Sequence, residues 1–166
     1  MNLWRKIESK IAPWMLVTIF LLLLLFGFYK EAKADVTVEI GPTFLSGKFS
    51  KGGIVEIHER FDKYQIGMGV ISSQEVTDRA GDFYNVRANL FVHGQRVVKV
   101  SQNFDFSLGV GYVNAKTRWN GSNFVASLGI EYSHTDKWKV NFRHFSNAGS
   151  ASPNMGQDMF TIGYKF

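Results

Sequence analysis

The chain has 166 residues, 45% of them hydrophobic and 15% aromatic, a net charge of +5 and no cysteine. That length suits one domain, and the absence of thiols excludes disulfide staples, thiolate metal sites and a cysteine nucleophile. Nor is the charge a nucleic-acid signature: Arg5, Lys6, Lys10, Lys30 and Lys33 lie before residue 35, and the rest carries 14 basic against 12 acidic residues, a balance of +2.

The N-terminus reads as an export signal. A basic stretch precedes the apolar run VTIFLLLLLFGF, and Ala32-Lys33-Ala34 offers a small-x-small cleavage site before Asp35. Residues 1–34 are therefore expected to be a cleavable signal peptide and 35–166 the mature protein. The competing reading is an uncleaved anchor, since Ala12 to Tyr29 approaches the ~20 residues of a spanning helix. Cleavage is favoured because nothing after Ala34 reads as a helix.

From residue 35 the pattern has period two, interrupted by Gly, Asn, Asp and Ser. One parity is apolar, as in Tyr64, Ile66, Met68 and Val70, or Phe104, Phe106, Leu108, Val110 and Tyr112. The other is small or polar, as in Gln65, Gly67 and Gly69, or Asp105, Ser107 and Gly109. Eight strands are expected, near 36–43, 53–61, 63–71, 83–93, 103–113, 123–133, 137–146 and 157–166. Their connections alternate between long (LSGKFSKGG, SSQEVTDRAGD, NAKTRWNGS and the segment before residue 157) and short (FDK, HTDK). The segment GQRVVKVSQ is read as a turn of middling length, although RVVKV would also fit a strand.

A soluble sandwich would pack its greasy faces together, whereas a membrane barrel turns them to lipid and fills its lumen with polar and small groups. The export signal, the aromatic residues at strand ends and the alternating connections favour an all-β, eight-stranded antiparallel transmembrane barrel. With an even strand count both termini face the periplasm and the long loops the exterior. The ending FTIGYKF resembles the C-terminal signature of outer-membrane proteins.

Function is sought in the stretch RHFSNAGSASPNMGQD, residues 143–158. In 137–146 the set Trp138, Val140 and Phe142 shares parity with His144 and Ser146; in 157–166, Phe166, Tyr164, Ile162 and Phe160 share it with Asp158. All three polar residues are thus expected on the outer wall at the extracellular end of adjacent strands. His144 and Ser146 would be ~6.6 Å apart along one face, with Asp158 one interstrand spacing of ~4.8 Å away. Such a group suits nucleophilic catalysis on an ester: Ser146 attacks, His144 relays the proton and Asp158 holds the tautomer. The Asn147 amide and the Gly149 backbone N–H are the nearest candidates for oxyanion donors. The plainer reading is a polar loop with an interfacial histidine.

The segment His144-Phe145-Ser146-Asn147-Ala148-Gly149, followed by Pro153-Asn154, Gly156 and an acid at 158, resembles the C-terminal signature of the PagL-type lipid A 3-O-deacylases. The resemblance implies an integral outer-membrane barrel that hydrolyses the ester-linked 3-hydroxyacyl chain at position 3 of lipid A in lipopolysaccharide, with its active site at the outer leaflet. It assigns His144 as base, Ser146 as nucleophile, Asp158 in place of the family's glutamate, and Asn147 and Gly149 as oxyanion donors. Aspartate is one methylene shorter than glutamate, a shortfall of roughly one C–C bond towards the imidazole. No cofactor or metal is expected, no two histidines with a carboxylate showing metal-ligand spacing, and no nucleic-acid partner; a homodimer is left open.

Among the other polar residues, His58 shares the lumen parity with Glu56 and Arg60, while His93 and His134 read as interfacial or solvated. Lys116, Arg118 and Arg79 are loop cations that could meet lipid A phosphates, and Trp119 an interfacial anchor. Two rival functions stand beside the deacylase: a non-catalytic barrel for surface interaction or membrane integrity, and an esterase or phospholipase acting on another envelope lipid.

Overall fold

The structure is a computed structural model that describes residues 35–45, 48–77, 83–116, 121–152, 154 and 156–166. The expected signal peptide, Arg79, Arg118 and Trp119 lie outside the described residues. Among the described residues ten strands follow one another: β1 (Asp35–Leu45), β2 (Lys48–Phe61), β3 (Tyr64–Ile71), β4 (Gln74–Thr77), β5 (Phe83–Val86), β6 (Asn89–Lys99), β7 (Phe104–Val113), β8 (Phe124–Ser133), β9 (Trp138–Ser146) and β10 (Gln157–Lys165). Eight form a closed barrel in the order β1-β10-β9-β8-β7-β6-β3-β2, and β4 with β5 forms a separate two-stranded sheet. Every barrel pairing is antiparallel, including the β1–β10 pair that closes the ring.

The alternation explains the barrel. Ile40, Leu108, Val110, Phe124, Ile130, Phe160 and Ile162 are all exposed on the outer wall, while Glu39, Glu56, Gln95, Asn141 and Arg143 are buried inside. This inversion of the soluble pattern is what a lipid-facing wall requires. Aromatic side chains gather at the end of the barrel that carries the short turns. There Phe104 meets Tyr132 at 5.0 Å, and Tyr164 meets Trp138 at 5.0 Å and Phe166 at 5.1 Å. Amphipathic rings are stable where hydrocarbon gives way to headgroups.

The expected map needs three corrections. The first connection is short: β2 begins at Lys48 instead of residue 53, five residues after the expected end of the first strand. The expected strand 83–93 is divided. Val86 is buried at 3% exposure whereas Leu90, of the same parity, is 54% exposed, so the chain changes face across Arg87 and Ala88. There the Asn89 side-chain amide donates to Arg87 O at 2.9 Å. Finally, RVVKV is strand and not turn, because β6 runs on to Lys99 with Val97 buried and Val98 exposed. The reversal that follows is tight, with Val100 N–H donating to Phe104 O at 2.9 Å.

Two chemically different layers fill the lumen. Towards the loop end lies an apolar cluster of Leu45, Ile54, Ile71, Val76, Val86, Phe91, Val113, Val125, Phe145 and Met159. Val76 and Val86 come from the β4–β5 hairpin, which thus supplies part of that end's core. Towards the turn end the filling is ionic. Arg143 hydrogen-bonds Glu56 and lies 3.8 Å from Glu39; His93 Nε2 is 2.7 Å from Glu56 Oε1; Thr161 Oγ1 donates to Glu39 at 2.6 Å. Below them Lys139 pairs with Glu131 at 2.8 Å and Arg60 with Asp105 at 2.5 Å. His93 therefore sits in the lumen and not at an interface: with β6 extended to Lys99 it is a mid-strand residue facing inward. His58 is in the lumen as its parity indicated, and His134 is exposed in a turn.

Buried charges are tolerated only when paired, and removing one partner of such a pair costs about 3–5 kcal/mol. Arg143→Met is therefore expected to lower the urea midpoint of barrel unfolding, followed by heat-modifiable gel migration, because Glu39 and Glu56 lose their shared cation. The double variant Arg143→Met/Glu56→Gln should recover part of the loss.

Candidate active site

The strands aim the polar residues through the residue between them. Phe145 is fully buried, its ring 5.3 Å from Phe91 in an edge-on contact and 5.9 Å from His93. On a strand, neighbours point to opposite faces, so anchoring Phe145 inside turns His144 and Ser146 outward. Met159, 1% exposed, does the same for Asp158. His144 and Asp158 are direct register partners across β9 and β10.

Register partners have their Cβ atoms ~4.5–5.5 Å apart, and at that separation an aspartate is long enough. His144 Nδ1 lies 2.6 Å from Asp158 Oδ1, with side-chain exposures of 39% and 24%. The shortfall expected from the missing methylene is thus absent. The contact fixes the imidazole by the nitrogen facing Asp158 and leaves Nε2 as the atom that can exchange a proton with a substrate or a hydroxyl. Ser146 is the next outward residue along β9, half-buried, with its Oγ accepting the Ala148 N–H at 3.3 Å.

The loop after Ser146 is organised by Asn147, which is 3% exposed. Its side-chain amide donates to Ala151 O at 2.8 Å, its Oδ1 accepts the Gly149 N–H at 3.0 Å, and its backbone N–H donates to Asn154 Oδ1 at 3.1 Å. Ala148 (φ 51°) and Gly149 (φ 78°) turn the chain through consecutive left-handed residues. The two expected oxyanion donors are thus hydrogen-bonded to each other, and the N–H directed at the Ser146 hydroxyl is that of Ala148. A left-handed alanine costs energy that glycine avoids, so this local turn is held by the hydrogen bonds around it.

Gly156 is the residue whose part was not legible from spacing. It is buried, has φ +74°, and a Cβ built on it would fall 2.7 Å from His144 Cε1 and 3.3 Å from His144 Nε2. The glycine backbone therefore forms a wall of the imidazole site. The long-range link from Gln157 to the hairpin was missed as well: Gln74 Nε2 donates to Gln157 Oε1 at 3.1 Å, and Gln157 Nε2 donates to Phe44 O at 3.0 Å. These bonds hold the start of β10, one residue before Asp158.

Among the described residues, Glu39, Glu56 and His58 in the lumen offer ligand atoms within 4.8 Å of one another. Arg143 already lies against both carboxylates, and the group is separated from the outward residues by the barrel wall. Of the expected loop cations, Lys116 is exposed.

These features define a closed eight-stranded outer-membrane β-barrel with a histidine–carboxylate pair and a serine on its outer face. The family model for lipid A 3-O-deacylase (PagL) matches residues 64–166, and the chain belongs to that family. Among solved structures it is similar in fold to the Yersinia pestis outer-membrane protein Ail in a phospholipid bilayer nanodisc, with 12% identity, 81% of this chain and 100% of that chain covered and a TM-score of 0.51. A crystal structure of Ail matches with 10% identity, 80% and 97% coverage and a TM-score of 0.49. A comparison with curated proteins found no match.

Gly156→Ala is expected to push the His144 ring from its place, lowering lipid A deacylation by about 10²-fold, the order of loss for a small misplacement of a reacting group. Heat-modifiable migration should be unchanged, since the residue lies outside the barrel strands.

Proposed function

We propose that this protein is a serine esterase that removes the 3-hydroxyacyl chain at position 3 of lipid A, working from the lipid-facing wall at the level of the outer leaflet. The observation that carries the reading is the 2.6 Å contact between His144 and Asp158 on an outward row, with Ser146 next along the same strand. Membership of the lipid A 3-O-deacylase family supplies the substrate class. The N-terminal segment up to Ala34 would be removed on export.

The chemistry follows from the atoms present. His144 Nε2 accepts the Ser146 proton as Oγ attacks the ester carbonyl, and Asp158 stabilises the imidazolium that forms. The tetrahedral intermediate collapses, the imidazolium passes its proton to the departing sugar oxygen, and an acyl-serine remains. Water, activated by the same imidazole, then releases the 3-hydroxy acid and restores the hydroxyl. For Asn147 and Gly149 to stabilise the oxyanion, the Gly149 N–H must exchange its bond to Asn147 Oδ1 for one to substrate; the Ala148 N–H already faces Oγ. A charge in hydrocarbon is expensive, and the position of all three residues near the loop ends of β9 and β10 supports a level by the headgroups instead. Placed there, the site meets its ester without lifting a lipid out of the bilayer.

Mass spectrometry of lipid A incubated with refolded protein tests the reading. Loss of one 3-hydroxyacyl unit is expected with the wild type and not with Ser146→Ala, while barrel migration is the same in both. Asp158→Ala should lower the rate by about 10⁴-fold, the order found when a triad acid is removed, and Asp158→Glu should retain or raise it. An unchanged lipid A spectrum from folded wild type would indicate a non-catalytic barrel, unless a panel of other envelope lipids is hydrolysed.

A further inference from the structure

The outer wall beside Ser146 is not uniform. Directly paired residues form rows that run around the barrel across the strands. One row passes from Ser146 to Ala126 on β8, Val110 on β7 and Gly94 on β6. On its turn side the adjacent row is His144, Leu128 and Leu108; on its loop side stand Phe124 and Tyr112. The row that begins at the serine therefore sets one valine between an alanine and a glycine, with longer side chains on either side of it along β8 and β7. Val110 is 69% exposed because its row neighbours present at most a methyl group, and a Cβ built on Gly94 meets nothing within 4 Å. The next residue in the row is Ile66 on β3, a full-sized side chain that closes the far end.

We infer that this furrow seats the acyl chain whose ester Ser146 attacks, and that Ala126 and Gly94 determine which chain lengths are accepted. The inference rests on the esterase reading above and names the part of the substrate that the wall selects. Three interstrand spacings of ~4.8 Å give a furrow of about 14 Å. An extended chain advances ~1.1–1.2 Å per bond, taking ~3.3–3.6 Å for each three-bond residue, so the furrow holds about twelve carbons. With strands tilted ~35–45° it descends roughly 9 Å from the serine, which remains within the outer half of a ~30 Å hydrocarbon core. An acyl chain still rooted in its leaflet can lie along it.

In a bilayer the chain gains nothing from leaving water, because its surroundings are already apolar. Selection must come from van der Waals fit, which falls quickly when atoms are held apart by a fraction of an ångström. A chain of matching length touches both walls along its whole course; a longer one must climb over Ile66. The occupant is an acyl chain: along β8 and β7 the walls are Leu128, Leu108, Phe124 and the ring of Tyr112, and beyond them Arg96, paired with Leu108, stands beside the far end. The hydroxyl on the third carbon stays at the serine end, beside His144 and the loop.

The test is a chain-length profile of kcat/KM, measured on the refolded full barrel with butanoyl, octanoyl, dodecanoyl and hexadecanoyl esters of p-nitrophenol, and with lipid A in parallel. Wild type is expected to peak at the dodecanoyl ester. Gly94→Leu, which projects into open space and leaves the strand pairing alone, should move the peak to the octanoyl ester and lower the dodecanoyl-to-butanoyl ratio about 10-fold, the order set by a methylene-scale misfit. Ala126→Leu should lower that ratio further, as it blocks the furrow at its mouth. Val38→Leu, on the outward face of β1 away from the furrow, should give the wild-type profile. A Gly94→Leu profile that matches wild type would overturn the inference, as would a wild type without chain-length preference or without activity on any ester. If the esters show the expected profile but lipid A is untouched, the furrow stands and the lipid A reading falls.

Discussion

Hydrocarbon offers no partner to a backbone N–H or C=O, and each unpaired group there costs several kcal/mol. The pairing of β1 with β10 is the consequence for this chain: without it two full strand edges would be bare in lipid. From that closure the rest follows. Eight strands fix a narrow cylinder whose interior only side chains can fill, and alternation then dictates that whatever is not wanted inside must face the lipid. His144, Ser146 and Asp158 are outside because Phe145, Gln157 and Met159 are inside.

The division of the lumen into an ionic layer and an apolar layer gives β9 and β10 their firmness. Arg143, next to His144, is gripped by Glu56 and lies close to Glu39, and Phe145 is packed against Phe91 and His93. Successive inward-facing residues of β9 are thus held by two independent kinds of interaction, one electrostatic and one dispersive. On β10, the Gln157 side chain is tied to the hairpin through Gln74 and to β1 through Phe44 O. The imidazole–carboxylate contact is short because both strands that carry it are pinned from within.

Much of this was legible in the residues. Period-two alternation in 63–71, 103–113, 123–133 and 137–146 marked strands and their faces, and counting parity from Trp138 and from Phe166 set the outward group. What parity could not show was any contact between segments distant in sequence. The hairpin escaped notice because Tyr84 and Val86 continue the parity of Leu90 and Val92, and only the change of face at Arg87 and Ala88 separates them. His93 was misjudged because its place depends on where β6 ends. The reach of Asp158 was misjudged because side-chain length matters less than register, and register is a property of two strands. Gly156 looked like loop punctuation, whereas its lack of a side chain leaves room for a ring from the neighbouring strand.

The filled lumen bears on a different property of the cell envelope. Large barrels whose interiors stay wet admit nutrients, and with them antibiotics and bile salts. Here paired charges occupy the cross-section at one level and interlocked aliphatic and aromatic groups occupy it at the next, under a hairpin that contributes its own valines. Such a body can be inserted in many copies without making the membrane leakier. An outer membrane can therefore hold more of this protein while keeping the permeability barrier that it exists to provide.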